Sequence, residues 1–154
     1  MMKERFFMQE VQPEAFKAMM AMEKYTTTTN ISPLHREMIK VRASQLNGCA
    51  YCLDKHAADA RKSGETEQRL LLLSVWRESP QFTEEERTIL AMTEEVTFIS
   101  QQGLTAETYN KALACFGLET TAQLLMHIIC INAWNRIGIA THRVPGQHYP
   151  TTAK

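Results

Sequence analysis

Helix start and stop signals recur about every 15 to 25 residues along this chain of 154. No stretch alternates apolar and polar residues over a strand's length, whereas helical spacing recurs throughout. The fold class expected is therefore all-α. A first helix is predicted from about Pro13 to the Thr26-Thr27-Thr28-Thr29-Asn30 cluster, which favours a break. A second opens with Ser32 as N-cap and Pro33 at the first helical position, and stops at Asn47-Gly48. The third begins at Cys49 and Cys52 and ends near Gly64, where Arg61 and Lys62 suit the negative end of the helix dipole. A fourth covers roughly Thr66 to Arg77 and stops before Pro80. Thr83 with Glu86 has the pattern of a capping box and opens a fifth, running to near Gly103. A sixth spans about Ala106 to Phe116 and ends at Gly117. Thr120 with Gln123 offers a box for the last, which runs to about Arg143 before a polar tail.

No Ser/Gly-rich linker intervenes, so residues 1–154 read as one compact bundle of six to seven helices, with its core at about 30–140. Apolar residues wrap nearly the whole circumference of the last helix, among them Leu124, Leu125, Ile128, Ile131, Trp134 and Ile137. Such a helix is either central or pressed against another subunit, and oligomerisation is expected.

Lys+Arg and Asp+Glu number 17 each. A chain without net charge is not expected to bind nucleic acid or a membrane surface, both of which draw on a basic excess. Charged residues are expected to break every apolar stretch short of a membrane span. The N-terminal MMKERFFMQE lacks the apolar region of a signal peptide, so the expected compartment is the cytosol.

Of four cysteines, Cys115 and Cys130 lie singly among apolar neighbours and read as small buried hydrophobes. Cys49 and Cys52 form a C-x-x-C pair, which in a reducing compartment points to redox chemistry or metal binding. Zinc in structural sites wants four ligands, and Cys49, Cys52 and His56 make three; no metal is expected. At the opening turn of a helix both thiols meet unpaired backbone N–H groups and a positive dipole, which stabilise a thiolate. His56 lies one turn beyond Cys52 on the same face, within reach of the thiol. Glu37 precedes Leu46 by nine residues, about 13 Å of helix. A tight turn at Asn47-Gly48 sends the next helix back antiparallel and brings Glu37 level with residues 56 to 59. Glu37, His56 and Cys52 then form a carboxylate that orients an imidazole that takes a proton from a thiol.

The pattern E-x11-C-x-x-C-x3-H, with Asn-Gly before the first cysteine, resembles the alkylhydroperoxidase AhpD branch of the carboxymuconolactone decarboxylase family. Thr93-Glu94-Glu95-Val96-Thr97 and Asn132-Ala133-Trp134-Asn135-Arg136-Ile137 resemble the downstream helices of its small peroxidase-related members. The resemblance implies an AhpD-like helical fold, assembly as trimers or hexamers, and a peroxidase that needs no cofactor. It implies that Cys52 attacks the peroxide, that Cys49 then closes a disulfide with it, and that Glu37 and His56 relay protons. The partners implied are a hydroperoxide and an external dithiol of lipoyl or thioredoxin type. One departure matters: the family histidine before the second cysteine is Tyr51 here. Family members that lack the cysteine pair decarboxylate a lactone, and the intact pair argues against that chemistry.

Peroxide reduction needs a thiolate, a proton for the departing oxygen and a second thiol against over-oxidation, which Cys52, His56 and Cys49 can supply. In thioredoxin-type motifs the first cysteine is the more exposed nucleophile, so Cys52 meeting peroxide and Cys49 meeting the reductant is a possible division. Tyr51 and Asn47 are candidates for substrate binding, against packing for Tyr51 and a turn role for Asn47. His127, within the apolar last helix, reads as a hydrogen-bonded core residue. Two other readings stand beside the peroxidase: a redox-sensing oligomer that turns over little, and a general thiol–disulfide oxidoreductase.

Overall fold

A computed structural model describes residues 3–146, which form eight α-helices and no strand. They are α1 (Met8–Val11), α2 (Pro13–Thr26), α3 (Pro33–Asn47), α4 (Ala50–Lys62), α5 (Glu67–Leu72), α6 (Glu84–Thr97), α7 (Ile99–Gln102) and α8 (Ala106–Ala140). The polar tail expected beyond Gly146 lies outside the described residues.

The caps predicted at Ser32 and at Thr83 with Glu86 form. Ser32 Oγ accepts from His35 N at 3.2 Å, and Thr83 and Glu86 satisfy each other's backbone N–H groups as a reciprocal box. Gly48 ends α3 at φ 71°, ψ 30°, a left-handed conformation that glycine adopts without a Cβ penalty. That reversal leads directly into α4, so α3 and α4 pack side by side as the sequence requires.

Helix α3 also packs on α6 and α8, with Met38, Ile39, Val41, Ala43 and Ser44 buried around its circumference. The core around it joins Ile39, Leu90, Met92, Leu124, Ile128 and Ile131. Helix α8 is only partly enclosed: Leu118 is 68% exposed and Ile129 40%.

Several boundaries differ from expectation. The fourth helix is α5 followed by a 3-10 turn over Leu73–Glu78, with Val75 off helical geometry at φ −127°, ψ 29°. Leu73 and Trp76 are both buried, and three residues per turn set this i, i+3 pair on one face. The fifth helix stops at Thr97, because Phe98 leaves the helical region before α7. Gly117, at φ 74°, ψ 172°, divides α8 into the two legs expected. Gln123 is no capping partner: its Oε1 accepts from Asn30 N at 3.0 Å and ties α8 to the loop before α3. Cys115 is exposed rather than buried, on the first leg of α8, whose inward face carries Thr108 and Ala112 instead.

The expectation about apolar stretches is also corrected. By length and composition α8 is apolar enough to cross a membrane, with a mean hydropathy of 1.5 over 18 residues. Its buried Asn132 and Asn135 hydrogen-bond to Thr97 and Ser44 side chains, which makes it a core helix of the bundle.

Candidate active site

Cys49 is the N-cap of α4 and Cys52 its third residue, and the two are joined in a disulfide with Cα atoms 5.4 Å apart. The pair therefore occupies the first turn, where the dipole favours a thiolate once the bond is reduced. Both residues are buried, at 2% and 4% exposure. Gly138 on α8 makes room for them: a Cβ there would lie 3.1 Å from Cys49 Sγ and 3.4 Å from Cys52 Sγ.

Cys52 opens onto a cavity of about 390 Å³ whose lining includes Phe16, Met20, Glu23, His56 and Trp134. Phe16 and Trp134 meet edge to face at 5.7 Å. Tyr51 is also on the wall, with Arg143 Nη2 donating to its hydroxyl at 3.4 Å and the guanidinium 4.9 Å from its ring centroid.

His56 Nδ1 is 2.8 Å from Glu37 Oε2, the contact that the antiparallel turn predicts. Burial opposes the charge on Glu37, but the His56 hydrogen bond and the His56 and Lys40 charges outweigh it and hold the carboxyl below its ordinary range. An ionised Glu37 takes the Nδ1 proton as its hydrogen bond and leaves Nε2 as the ring's acceptor. Cys52 and His56 thus face one cavity, with Glu37 hydrogen-bonded to the imidazole.

Sequence reasoning missed the charges beyond Glu37. Lys40 Nζ is 3.6 Å from Glu37 Oε1 and donates to Glu23 Oε1 at 2.5 Å. Glu23 Oε2 accepts from Trp134 Nε1 at 3.1 Å and from the Cys130 thiol at 3.3 Å. Burial, with the Glu23 charge and hydrogen bond, pushes the Cys130 thiol up to about 12 and keeps it protonated. The Glu37–Lys40 spacing is a legible i, i+3 pair, whereas no local signal ties Glu23 on α2 to it.

Asn47 is not on the cavity. Its Nδ2 lies 2.9 to 3.0 Å from Ala43 O, Asn132 Oδ1 and Asn135 Oδ1, so it braces the end of α3 against α8. Its placement favours bracing over the substrate-binding alternative. Asn47→Ala is expected to lower stability by about 2 kcal/mol, because a buried acceptor on α8 loses its donor. Urea denaturation measures this. A variant of unchanged stability that no longer reacts with peroxide would restore Asn47 to the substrate site.

Donor atoms of Glu37, His56 and Asp59 lie within 4.8 Å of one another. Lysine ammonium groups already face both carboxylates, Lys40 at Glu37 and Lys55 and Lys62 at Asp59. A cation there would have to displace these charges.

Known proteins share the sequence family and the fold. The model of the carboxymuconolactone decarboxylase family matches residues 13–95. The uncharacterized protein YdfG of Bacillus subtilis (strain 168) is 43% identical over 139 residues, covering 90% of this chain and 95% of that protein. A protein of unknown function from Agrobacterium tumefaciens, assigned by its name to antioxidant defence as AhpD, superposes with a TM-score of 0.90. It shares 38% identity, with 93% of this chain and 98% of that one covered. A peroxidase-related protein from Ralstonia eutropha JMP134 with an AhpD core has a TM-score of 0.78 at 18% identity, covering 90% and 74%, and shows the shared fold.

Proposed function

Because the chain belongs to the carboxymuconolactone decarboxylase family, we propose that it works in the cytosol as a thiol-dependent peroxidase reducing hydroperoxides. The observation that carries this reading is one cavity lined by both Cys52 and His56, with Cys49 bonded to Cys52 behind it. The AhpD and peroxidase-related names of the structural neighbours support it.

In the reduced protein, His56 Nε2 draws the proton from Cys52 and leaves a thiolate. The thiolate attacks the peroxide: an S–O bond forms, the O–O bond breaks, and the departing alkoxide takes the proton back as an alcohol. Cys52 is then a sulfenic acid. Cys49 attacks its sulfur, the S–S bond forms, and the hydroxyl leaves as water with the Cys49 proton. An external dithiol of lipoyl or thioredoxin type restores both thiols by exchange and is itself oxidised to a disulfide. Tyr51, in place of the family histidine, belongs to the substrate wall rather than to the relay. The protein acts as a trimer or hexamer, and the exposed Leu118 and Ile129 on α8 offer an apolar face for that assembly.

Incubation of the reduced protein with organic peroxide, then mass mapping, is expected to find a Cys49–Cys52 link and the loss of two thiols. His56→Ala and Glu37→Gln are expected to slow peroxide consumption about a hundredfold while the fold is kept, as loss of a positioned base does. Full reactivity in both variants would remove the relay.

One observation favours a second reading, a disulfide-switched oligomer with little turnover: Cys49 and Cys52 are only 2% and 4% exposed. Turnover with a dithiol donor, set beside subunit mass in oxidised and reduced samples, separates the two.

A further inference from the structure

The proton relay does not end at Glu37. We propose that Lys40, shared between Glu37 and Glu23, is a positioning residue that sets the proton affinity of His56. This rests on the relay read above and adds the groups that tune it.

Lys40 is buried, its side chain only 8% exposed, and a buried ammonium is retained only where carboxylates compensate for its lost hydration. Glu23 comes from α2 and Glu37 from α3, so the triad binds the helix that covers the cavity to the helix that carries the relay. Glu37 spends one oxygen on His56 Nδ1, and its other lies 3.6 Å from the ammonium. Lys40 thereby fixes the rotation of the carboxylate that aims the imidazole. Its positive charge also offsets the negative charge of Glu37 beside the imidazole. Glu23 moderates this in turn, because it takes up part of the same positive charge.

The charged and titratable groups around Lys40 are few. Glu23 faces it from α2, and Glu37 and Arg36 share its own helix. His56 and Asp59 stand behind Glu37 from α4, and Cys130 and His127 approach from α8. Of these, Lys40 is the cation held between Glu23 and Glu37, the carboxylate that bonds the imidazole, so the signs of the variant effects are fixed by Coulomb's law.

The test is an NMR titration of the His56 imidazole in the oxidised protein, which needs no peroxide and no turnover. Lys40→Met removes a positive charge beside Glu37 and is expected to raise the imidazole's proton affinity about tenfold relative to the unaltered protein. Glu23→Gln leaves the full ammonium charge to Glu37 and is expected to lower it by about threefold. Lys40→Arg, which keeps the charge, is expected to stay within about twofold of the starting value. If Lys40→Met does not fold, the Glu23→Gln and Lys40→Arg pair decides by itself. Shifts in one common direction, or no variant moving more than twofold, would overturn the proposal, because a merely structural role predicts no opposed signs. A protein that titrates as expected but consumes no peroxide counts against the enzyme reading alone.

Discussion

Replacement of Cys52 by serine is expected to lower peroxide turnover by on the order of a thousandfold or more, because the atom that forms the new bond to oxygen is gone. The same change at Cys49 has a different signature. Cys52 still meets peroxide from the cavity wall, so the first equivalent is consumed, but the sulfenic acid has no neighbour to condense with. It then advances to sulfinic and sulfonic acids, which mass spectrometry reads as added oxygen on the peptide holding Cys52. The contrast follows from placement: Cys52 lines the cavity and Cys49 sits behind it as the N-cap. Exchanged phenotypes, with Cys49→Ser inert and Cys52→Ser over-oxidised, would reverse the roles and restore the thioredoxin-like order.

Acid is expected to destabilise the protein through His127. The residue is 1% exposed, and its Nε2 lies 2.8 Å from Thr29 Oγ1. Thr29 gives its hydroxyl proton to Thr26 O, so the ring must donate through Nε2, and buried Nδ1 has no partner. A second proton would sit on Nδ1 facing no acceptor. Burial first, then the Lys40 and Arg36 charges, lower the ring from the usual 6.5 to about 4. Because the folded value lies below the unfolded one, this contribution is complete above pH 6.5 and is lost as pH falls through 4. At its limit the loss is about 3 kcal/mol. Gln at position 127 keeps a side-chain N–H for Thr29 and removes the titrating site. The stability lost between pH 7 and pH 4, from urea denaturation, is expected to be about 3 kcal/mol smaller in His127→Gln. Parallel acid slopes would sink the assignment.

How much of this could be read from the residues alone depends on the range of the interaction. Caps are local: Ser32, Gly48, the Thr83–Glu86 box and Gly117 each act within one turn and were legible. The Glu37–His56 contact spans 19 positions, yet it was legible too, because two helices and one tight turn are the whole path between them. Elements that answer to distant packing were not. The 3-10 turn exists because Leu73 and Trp76 share one buried face, and Cys115 is exposed because the first leg of α8 turns other residues inward. Asn47 looked equally suited to a turn or a ligand, and its three contacts, two of them on α8, place it as a brace.

The amino-acid order by itself determined the helical class, the starts of α2 to α6 and the pairing of the Glu37 carboxylate with the His56 imidazole, since each follows from neighbours within a turn or across one reversal. Only the tertiary structure decided that Glu23 joins Lys40 beside that pair, that Gly138 gives the sulfurs their space, and that His127 is kept neutral. These depend on how helices far apart in the chain rotate against one another, and that rotation is set by the packing of the whole core rather than by any local signal.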